Sequence, residues 1–257
     1  MAMPITTPHA TSPRPPAAQP GRLGQTMLKL LTQRAAVSAV HALSERFRLV
    51  SLRSEAFRQH VHVPGDKAQI RVAGMSFRTF TPFRLGGDDT IDVLGYLHGA
   101  TPAADWAAAV APGDTCHVMG PRRSLDLGAI DRSTVFFGDE TSIGLAMALC
   151  DTPLGGLDTH FIFEVNDVLE TRTVLDALGR GMLRNATLVE RGEGDAHLAG
   201  IESTLRRYAL ADSYRQYVFS GKAPSIQRLT RGLKQVGAKP SQMTVKAYWA
   251  PGKVGLD

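Results

Sequence analysis

The chain has 257 residues, of which 43% are hydrophobic and 21% charged, a composition that is typical of a globular protein and excludes a largely disordered chain. Lysine and arginine number 29 against 24 acidic residues, which gives a formal net charge of +5. No acidic residue precedes Glu45, and four of the basic residues, Arg14, Arg22, Lys29 and Arg34, lie before it. The remainder is therefore almost neutral, and we expect no nucleic-acid partner.

Residues 1–21 hold six of the 15 prolines and predict a flexible tail that precedes the fold. The two cysteines, Cys116 and Cys150, form no Cys-x-x-Cys pair, so we expect no disulfide framework and no metal site. This usage favours a reducing compartment and a cytoplasmic location. We also expect no secretory signal and no membrane span, because no apolar run approaches the ~18 residues that a spanning helix needs.

From residue 22 to residue 131 the pattern is mostly that of short β-strands. Residues 37–43 alternate loosely like a strand, although their alanines would also suit a helix. Clearer strand patterns cover residues 47–52, 67–72, 77–83, 90–97 and 115–119. One helix is predicted over residues 102–110, with proline in its first turn. Many short strands at close spacing predict an antiparallel barrel, for which we expect six strands.

From residue 132 to residue 257 strand and helix patterns alternate. Strands are predicted over residues 134–137, 160–165, 186–190, 216–220 and 243–249. Helices are predicted from about residue 142 to residue 150 and over residues 170–178, 201–209 and 223–236. Alternation of this kind predicts an α/β domain with a parallel sheet.

Two strand-to-helix turns in this pattern suit phosphate groups. After the strand at 134–137 comes Gly138-Asp139-Glu140-Thr141 and then a helix, whose first N–H groups would face a nucleotide at the carboxyl edge of the sheet. Residues 95–99 end another strand before the helix that begins at Pro102, which offers a second such turn. Taken singly, each turn is also compatible with an ordinary helix start.

A third candidate lies in the predicted strand at residues 77–83. Arg78 and Phe80 share one face of this strand, and Thr79 and Thr81 share the other. An arginine fork suits a phosphate or a flavin carbonyl, and an aromatic ring offers a stacking surface. Alone, this pattern is also that of a plain strand.

In order and spacing, these segments resemble the siderophore-interacting proteins, which are FAD-dependent ferric-siderophore reductases of the ferredoxin-reductase-like superfamily. Residues 78–82 resemble the family's Arg-x-Tyr-Thr-Pro motif, and residues 138–141 match its Gly-Asp-Glu-Thr. His98-Gly99 and the following 102–107 segment, Pro-Ala-Ala-Asp-Trp-Ala, resemble its His-Gly and Pro-Ala-Ser-x-Trp-Ala elements. Tyr248-Trp249 resembles its terminal Tyr-Trp-x-x-Gly.

The resemblance implies an FAD-binding barrel over residues 22–131 and an NAD(P)-binding α/β domain over residues 132–257. It implies that FAD is bound by Arg78, Phe80, Thr81, His98, Gly99, Thr101, Pro102, Ala103 and Ala104. NADPH or NADH would face Gly138, Asp139, Glu140 and Thr141, and Trp249 would cover the flavin or the nicotinamide.

The implied reaction passes electrons from NAD(P)H through FAD to Fe(III) in a siderophore and releases Fe(II). The candidate contacts for the anionic chelate are Lys67, Arg71, Arg122 and Arg123. No residue is expected to act as a catalytic acid or base, because the cofactor carries the chemistry.

Several residues depart from the family's pattern. Phe80 stands where the family has tyrosine, and Ala104 where it has serine or threonine, although Thr101 offers a nearby hydroxyl. Gln69 stands where a basic residue aligns. These departures favour an alternative, a non-catalytic or weakly flavin-binding module of the same fold that binds a siderophore or a partner.

Two further questions stay open from the sequence. Acidic residues near the end of the second α/β strand suit NADH, but the nearby Arg172, Arg184 and Arg191 suit NADPH. The oligomeric state is not indicated.

Overall fold

The computed structural model describes residue 28 and residues 30–60, 63–99, 101–152 and 158–253. The predicted tail of residues 1–21 lies outside these described residues. No helix in the described ranges combines the length and the apolar character that crossing a membrane requires.

Six strands in the first half form an antiparallel half-barrel in the order β4-β3-β6-β1-β2-β5. They are β1 (Gln33–Ala42), β2 (Phe47–Arg53), β3 (Lys67–Ala73), β4 (Ser76–Phe80), β5 (Thr90–Tyr96) and β6 (Thr115–Arg122). Short helix α1 (Glu55–Arg58) adds Phe57 to the core of this half. Helix α2 (Pro102–Ala109) packs closely on β5, because a Cβ on Gly95 would lie only 2.7 Å from the Ala107 Cβ.

The ambiguous segment at residues 37–43 is strand as far as Ala42. Strand β1 pairs with β6 through residues 33–36 and with β2 through residues 36–42, and the pairing with β2 outweighs the helix propensity of the alanines in the ambiguous segment. The alternation is visible in its burial, since Ala35 and Val37 are buried while Ala36 and Ser38 are exposed.

The second half holds five parallel strands in the order β11-β10-β7-β8-β9. They are β7 (Thr134–Asp139), β8 (Thr159–Val165), β9 (Thr187–Glu190), β10 (Gln216–Lys222) and β11 (Met243–Trp249). The helices are α3 (Ile143–Cys150), α4 (Val168–Ala177), α5 (Gly181–Arg184), α6 (Leu198–Ala211) and α7 (Ala223–Gln235). The predicted fold class, an antiparallel six-stranded sheet followed by a parallel α/β sheet, is confirmed.

Both faces of the parallel sheet are covered by helices. Phe136 of β7 packs in one hydrophobic cluster with α3 and α4, while its neighbours Val135 and Phe137 pack in another with α6 and α7. Strands buried on both faces explain the continuous apolar runs in the sequence.

The two halves are joined by a shared hydrophobic cluster and by hydrogen bonds to the Glu170 carboxylate. Phe47, Phe83 and Tyr96 of the first half lie in the same hydrophobic cluster as α3. The Glu170 carboxylate at the start of α4 accepts hydrogen bonds from Ser44 Oγ at 2.7 Å and from Arg46 Nε at 2.6 Å. These contacts bring the last residues of β5 to the carboxyl ends of β7 and β8.

Candidate functional site

The turn after β7 is built around the buried carboxylate of Asp139. Its Oδ1 accepts hydrogen bonds from the Thr141 backbone N–H at 2.9 Å and from Thr141 Oγ1 at 2.5 Å. Gly138 is required in this turn, because a Cβ there would lie 2.6 Å from the Ser142 Cβ. One N–H group of the predicted phosphate-binding turn is therefore already occupied by an internal carboxylate.

Glu140 connects the strand ends of both halves of the molecule. Arg191 donates to its carboxylate from Nη1 at 2.9 Å and from Nη2 at 2.8 Å, and the Asn166 backbone N–H donates at 2.6 Å. Tyr96, at the end of β5, donates its hydroxyl to the same carboxylate at 3.2 Å. Burial raises the pKa of Tyr96, so its hydroxyl stays protonated and serves as a donor at neutral pH.

Trp249 reaches the same turn from the last strand. Its indole Nε1 donates to Asp139 Oδ2 at 2.7 Å. Burial, reinforced by the neighbouring charge of Glu140, raises the pKa of Asp139 to about 6. Gly221 has a φ of +97° and packs so tightly that a Cβ would lie 2.5 Å from the Asp139 Cγ.

A bulge in β11 sends two consecutive side chains to different halves of the molecule. The pairing of β10 with β11 shifts between Gly221, opposite Ala247, and Lys222, opposite Trp249. The Tyr248 hydroxyl lies 2.5 Å from Thr81 Oγ1, directly after β4, whereas Trp249 binds Asp139. A bulge re-aims a side chain in this way.

A cavity of about 100 Å³ lies where these groups meet. It is lined by Tyr96, His98, Glu140, Thr141, Asn166, Arg191 and Trp249. The His98 ring stacks on Tyr96 with centroids 5.5 Å apart and lies 6.4 Å from the Trp249 ring. Burial lowers the pKa of His98, which leaves a neutral imidazole at pH 7. The lining of aromatic rings and polar groups suits a planar heteroaromatic ligand.

Several predicted FAD residues lie along the barrel. Arg78 Nη1 donates to Ser76 Oγ at 2.9 Å and to the Phe77 carbonyl at 2.7 Å. The Phe80 ring packs 5.5 Å from the ring of Trp106 on α2. At the start of α2, Thr101 Oγ1 accepts a hydrogen bond from the Ala104 N–H at 3.2 Å, so the hydroxyl of Thr101 acts as the helix cap.

An open groove of about 600 Å³ runs beside Trp106. It lies between the end of β3, the start of β6 and one side of α2, and Arg71 and His117 contribute to its walls. Gly99, just before α2, has a φ of +56° and nothing within 4 Å of the position of a Cβ. These features leave room for a ligand along α2.

The four basic residues predicted to hold the substrate do not form one patch. Lys67 lies opposite Arg122 in the β3–β6 pairing, and Arg122 donates to Gln69. Arg123 is exposed and pairs with Asp126 at 3.4 Å. Arg71 lies four residues further along β3, about 13 Å from Lys67, and faces the groove beside Trp106.

The cavity brings together His98, Glu140, Thr141 and Trp249, which come from three separate motifs. The remaining lining residues are Tyr96 and Asn166, which no motif indicated, and Arg191, which the sequence indicated only as a residue suiting NADPH. Strand ends were the usable signal, since Tyr96 is the second-last residue of a predicted strand and Asn166 and Arg191 each directly follow one.

Residues 59–125 match the family model of the siderophore-interacting FAD-binding domain. The match confirms the resemblance to siderophore-interacting proteins. A siderophore utilization protein from T. fusca is similar in fold, with 19% identity, a TM-score of 0.65, and coverage of 88% of this chain and 95% of that one. No protein of curated function matches the sequence.

Two further solved structures have a similar fold. The siderophore-interacting protein SipS of Aeromonas hydrophila shows 18% identity and a TM-score of 0.66 over 87% of this chain and 93% of that one. The FAD/NAD-binding domain of nitric oxide dioxygenase from Vibrio cholerae shows 11% identity and a TM-score of 0.64 over 85% and 99%. At these identities the likeness shows the fold, that of ferredoxin-reductase-like FAD/NAD domains.

Proposed function

We propose that this protein is a ferric-siderophore reductase of the cytoplasm, which passes electrons from NADPH or NADH through FAD to siderophore-bound Fe(III). The match to an FAD-binding domain and the ferredoxin-reductase-like fold support a flavin-dependent oxidoreductase. One observation carries the proposal. Side chains from the end of β5, from the turn after β7 and from the end of β11 converge on a single cavity between the two halves.

The residues along the barrel fit a flavin dinucleotide. A guanidinium has five N–H donors, so Arg78 retains donors for a phosphate beyond its bonds to Ser76 and Phe77. The open space beside Gly99 and the groove along α2 leave room for the dinucleotide. Phe80, Thr81, Pro102 and Ala103 would complete its contacts.

FAD would supply the redox chemistry, by taking a hydride and releasing electrons singly. The protein's own groups would bind and orient the reactants. The neutral His98 and the protonated Tyr96 present uncharged polar groups to the cavity, and Trp249 closes one wall against water. Glu140 and Asp139 fix these walls through Arg191 and Trp249.

We propose that the anionic ferric chelate contacts the basic strand ends at Lys67, Arg122 and Arg123. Positive charge at this point favours the approach of an anion. Each NAD(P)H carries two electrons and each Fe(III) takes one, so two ferric chelates would be reduced for every dinucleotide oxidised. Oxygen donors hold Fe(II) less tightly than Fe(III), which allows the iron to leave.

Anaerobic titration of the purified, FAD-loaded protein tests this proposal. NADH or NADPH should bleach the flavin band, and a ferric siderophore should restore it while an Fe(II)-specific dye records two Fe(II) per dinucleotide. Arg78→Ala should lower FAD occupancy, whereas Arg53→Ala, which removes a 61% exposed arginine on β2, should not. Equal occupancy in the two variants would contradict the role of Arg78.

A second candidate is a module of the same fold that binds flavin weakly or not at all. It is favoured by Phe80, which brings no hydroxyl and whose ring packs on Trp106. A colourless protein that takes up no FAD would support this second candidate and contradict the proposed reductase activity.

A further inference from the structure

The indole of Trp249 forms one wall of the cavity at the end of the last strand. Trp249 is the final residue of β11, and one strand pair, with Lys222, follows the bulge. An indole has a single hydrogen-bond donor, and that of Trp249 is bound to Asp139 Oδ2 at 2.7 Å. The ring is only partly buried, so it can turn outward without breaking the strand pairs that precede the bulge.

The two oxygens of Asp139 have different partners. Oδ1 accepts three hydrogen bonds from its own turn, from the Thr141 N–H at 2.9 Å, from Thr141 Oγ1 at 2.5 Å and from Ser142 Oγ at 3.3 Å. Among the described residues, Oδ2 accepts one hydrogen bond, that of Trp249, while Arg191 Nη2 lies at 3.8 Å. The turn therefore holds the carboxylate through Oδ1 whether or not the indole is bound to Oδ2.

The charges nearest to Asp139 do not balance. Arg191 donates from both of its terminal nitrogens to Glu140, and it lies too far from Asp139 for a hydrogen bond. Asp139, Glu140 and Arg191 therefore sum to −1 at a site where both carboxylates are buried. Burial, reinforced by the charge of Glu140, raises the pKa of Asp139 to about 6. One proton on Asp139 brings this group of three to zero.

The other titratable groups that face Asp139 or Trp249 come from the neighbouring strands and from the barrel. They are Glu164 on β8, Lys222 on β10, Tyr248 on β11, Tyr96 on β5 and His98 after β5. Glu164 is bound to His197 at 2.7 Å, and Lys222 to Asp195 at 2.6 Å. Burial raises the pKa of both tyrosines and lowers that of His98, so these three groups are uncharged near pH 7. His98 also takes up a proton as the pH falls, so the test has to separate it from Asp139.

We propose that a proton on Asp139 controls whether Trp249 closes the cavity. While Asp139 is ionised, it accepts a charge-assisted hydrogen bond from the indole, and the ring stays in place. When Asp139 takes up a proton from solvent, both partners are neutral, the bond is roughly half as strong, and the ring turns outward.

Opening and proton uptake reinforce each other. The indole N–H is a donor that favours the ionised carboxylate, so its departure raises the pKa of Asp139 further. By linkage, a ligand that displaces Trp249 also makes Asp139 bind a proton more tightly. The inference does not depend on the proposed function. If that function holds, acidic conditions favour the entry of a planar ring into the cavity.

The test follows the indole N–H of Trp249 in the full-length chain by NMR. The chain has two tryptophans, so it gives two indole signals, which Trp106→Phe assigns. The Trp249 signal should move toward the position of a weaker hydrogen bond as the pH falls, with a midpoint near the Asp139 pKa of about 6. In the Trp106→Phe background, quenching of Trp249 by acrylamide should increase about three- to tenfold through the same transition. A Trp249 signal that does not change with pH would overturn the inference.

Asp139→Asn removes the charge and keeps the size of the side chain. Its amide oxygen can still accept the Thr141 N–H, which leaves the amide NH₂ facing the indole N–H, so we expect strong quenching of Trp249 at every pH. Asp176→Asn removes a 53% exposed carboxylate at the far end of α4 and should keep the wild-type transition.

His98→Gln distinguishes the two groups that gain a proton near the ring. It should keep a transition with the wild-type midpoint, because the titrating group is Asp139. A transition that persists in Asp139→Asn or disappears in His98→Gln would assign the effect to His98 and refute the role of Asp139. If Asp139→Asn does not fold, the wild-type titration and His98→Gln still decide.

These readouts need no flavin, so they separate the inference from the proposed function. A chain that takes up no FAD but shows the Trp249 transition loses the proposed function and keeps the inference. A chain that reduces ferric siderophores while its Trp249 signal is independent of pH keeps the proposed function and loses the inference.

Discussion

Substitution of Gly221 by alanine tests how closely β10 approaches the turn after β7. The new Cβ would lie 2.5 Å from the Asp139 Cγ and would also overlap Asp139 Oδ2. Asp139 would have to move, and with it the hydrogen bond that holds the Trp249 indole.

The expected loss of unfolding free energy has two parts, and a second glycine of the chain serves as a control for one of them. Gly237 has a φ of +96°, almost the same as the +97° of Gly221, but nothing lies within 4 Å of its Cβ position. A left-handed alanine costs about 1–2 kcal/mol at either site. Overpacking adds about 1–3 kcal/mol at Gly221 alone. We expect the free energy of unfolding to fall by about 2–5 kcal/mol in Gly221→Ala and by about 1–2 kcal/mol in Gly237→Ala.

Urea unfolding of both variants gives the two free energies, and tryptophan emission gives a local readout. The chain has two tryptophans, Trp106 and Trp249, so Trp106→Phe leaves Trp249 as the reporter of its own bond to Asp139. In that background Gly221→Ala should shift the emission and Gly237→Ala should not. Equal losses of stability with unshifted emission in both variants would refute the close approach.

Two pH-dependent effects on stability follow from the carboxylates of Asp139 and Glu170. Because burial raises the pKa of Asp139 to about 6, the folded chain retains a proton there that the unfolded chain releases near pH 4. The stability of the wild type relative to Asp139→Asn should therefore fall by up to about 3 kcal/mol as the pH rises from about 4 to about 7, and a flat difference in urea unfolding would contradict this. Burial of Glu170 is outweighed by hydrogen bonds from Ser44 and Arg46, which lower its pKa, so its contribution is present near neutral pH and is lost as the pH falls. Glu170→Gln should cost about 1–3 kcal/mol at pH 7 and progressively less as the pH falls below about 4, as measured by denaturation across this range.

The predicted elements match the structure where local patterns decide them. The apolar runs at residues 134–137 and 216–220 are buried on both faces of a parallel sheet, and the alternation at residues 67–72 lies in β3. The ambiguity at residues 37–43 had a physical cause, since alanine favours a helix and the pairing with β2 makes this segment a strand.

The sequence motifs predicted several residues of the candidate site but not their hydrogen-bond partners. The motifs located His98, Glu140 and Trp249. The partner that fixes Glu140 is Arg191, which lies 51 residues away in sequence, and no local spacing indicates that distance. The same holds for Thr81 and Tyr248, which lie 167 residues apart. The separation of the four basic residues predicted to bind the chelate also depends on strand register, which the sequence pattern does not determine.

The bulge in β11 makes the cleft sensitive to chain length as well as to residue type. A deletion of one residue between Met243 and Ala247 would move each following residue back by one strand position, so Tyr248 would take the place of Ala247 and Trp249 the place of Tyr248. Ala247 packs against the cluster of α6 and α7, so the phenol would enter that cluster, while the indole would face Thr81 and leave Asp139. A single-residue deletion in the last strand would thus remove the Trp249 contact to Asp139, although every functional residue remained in the chain.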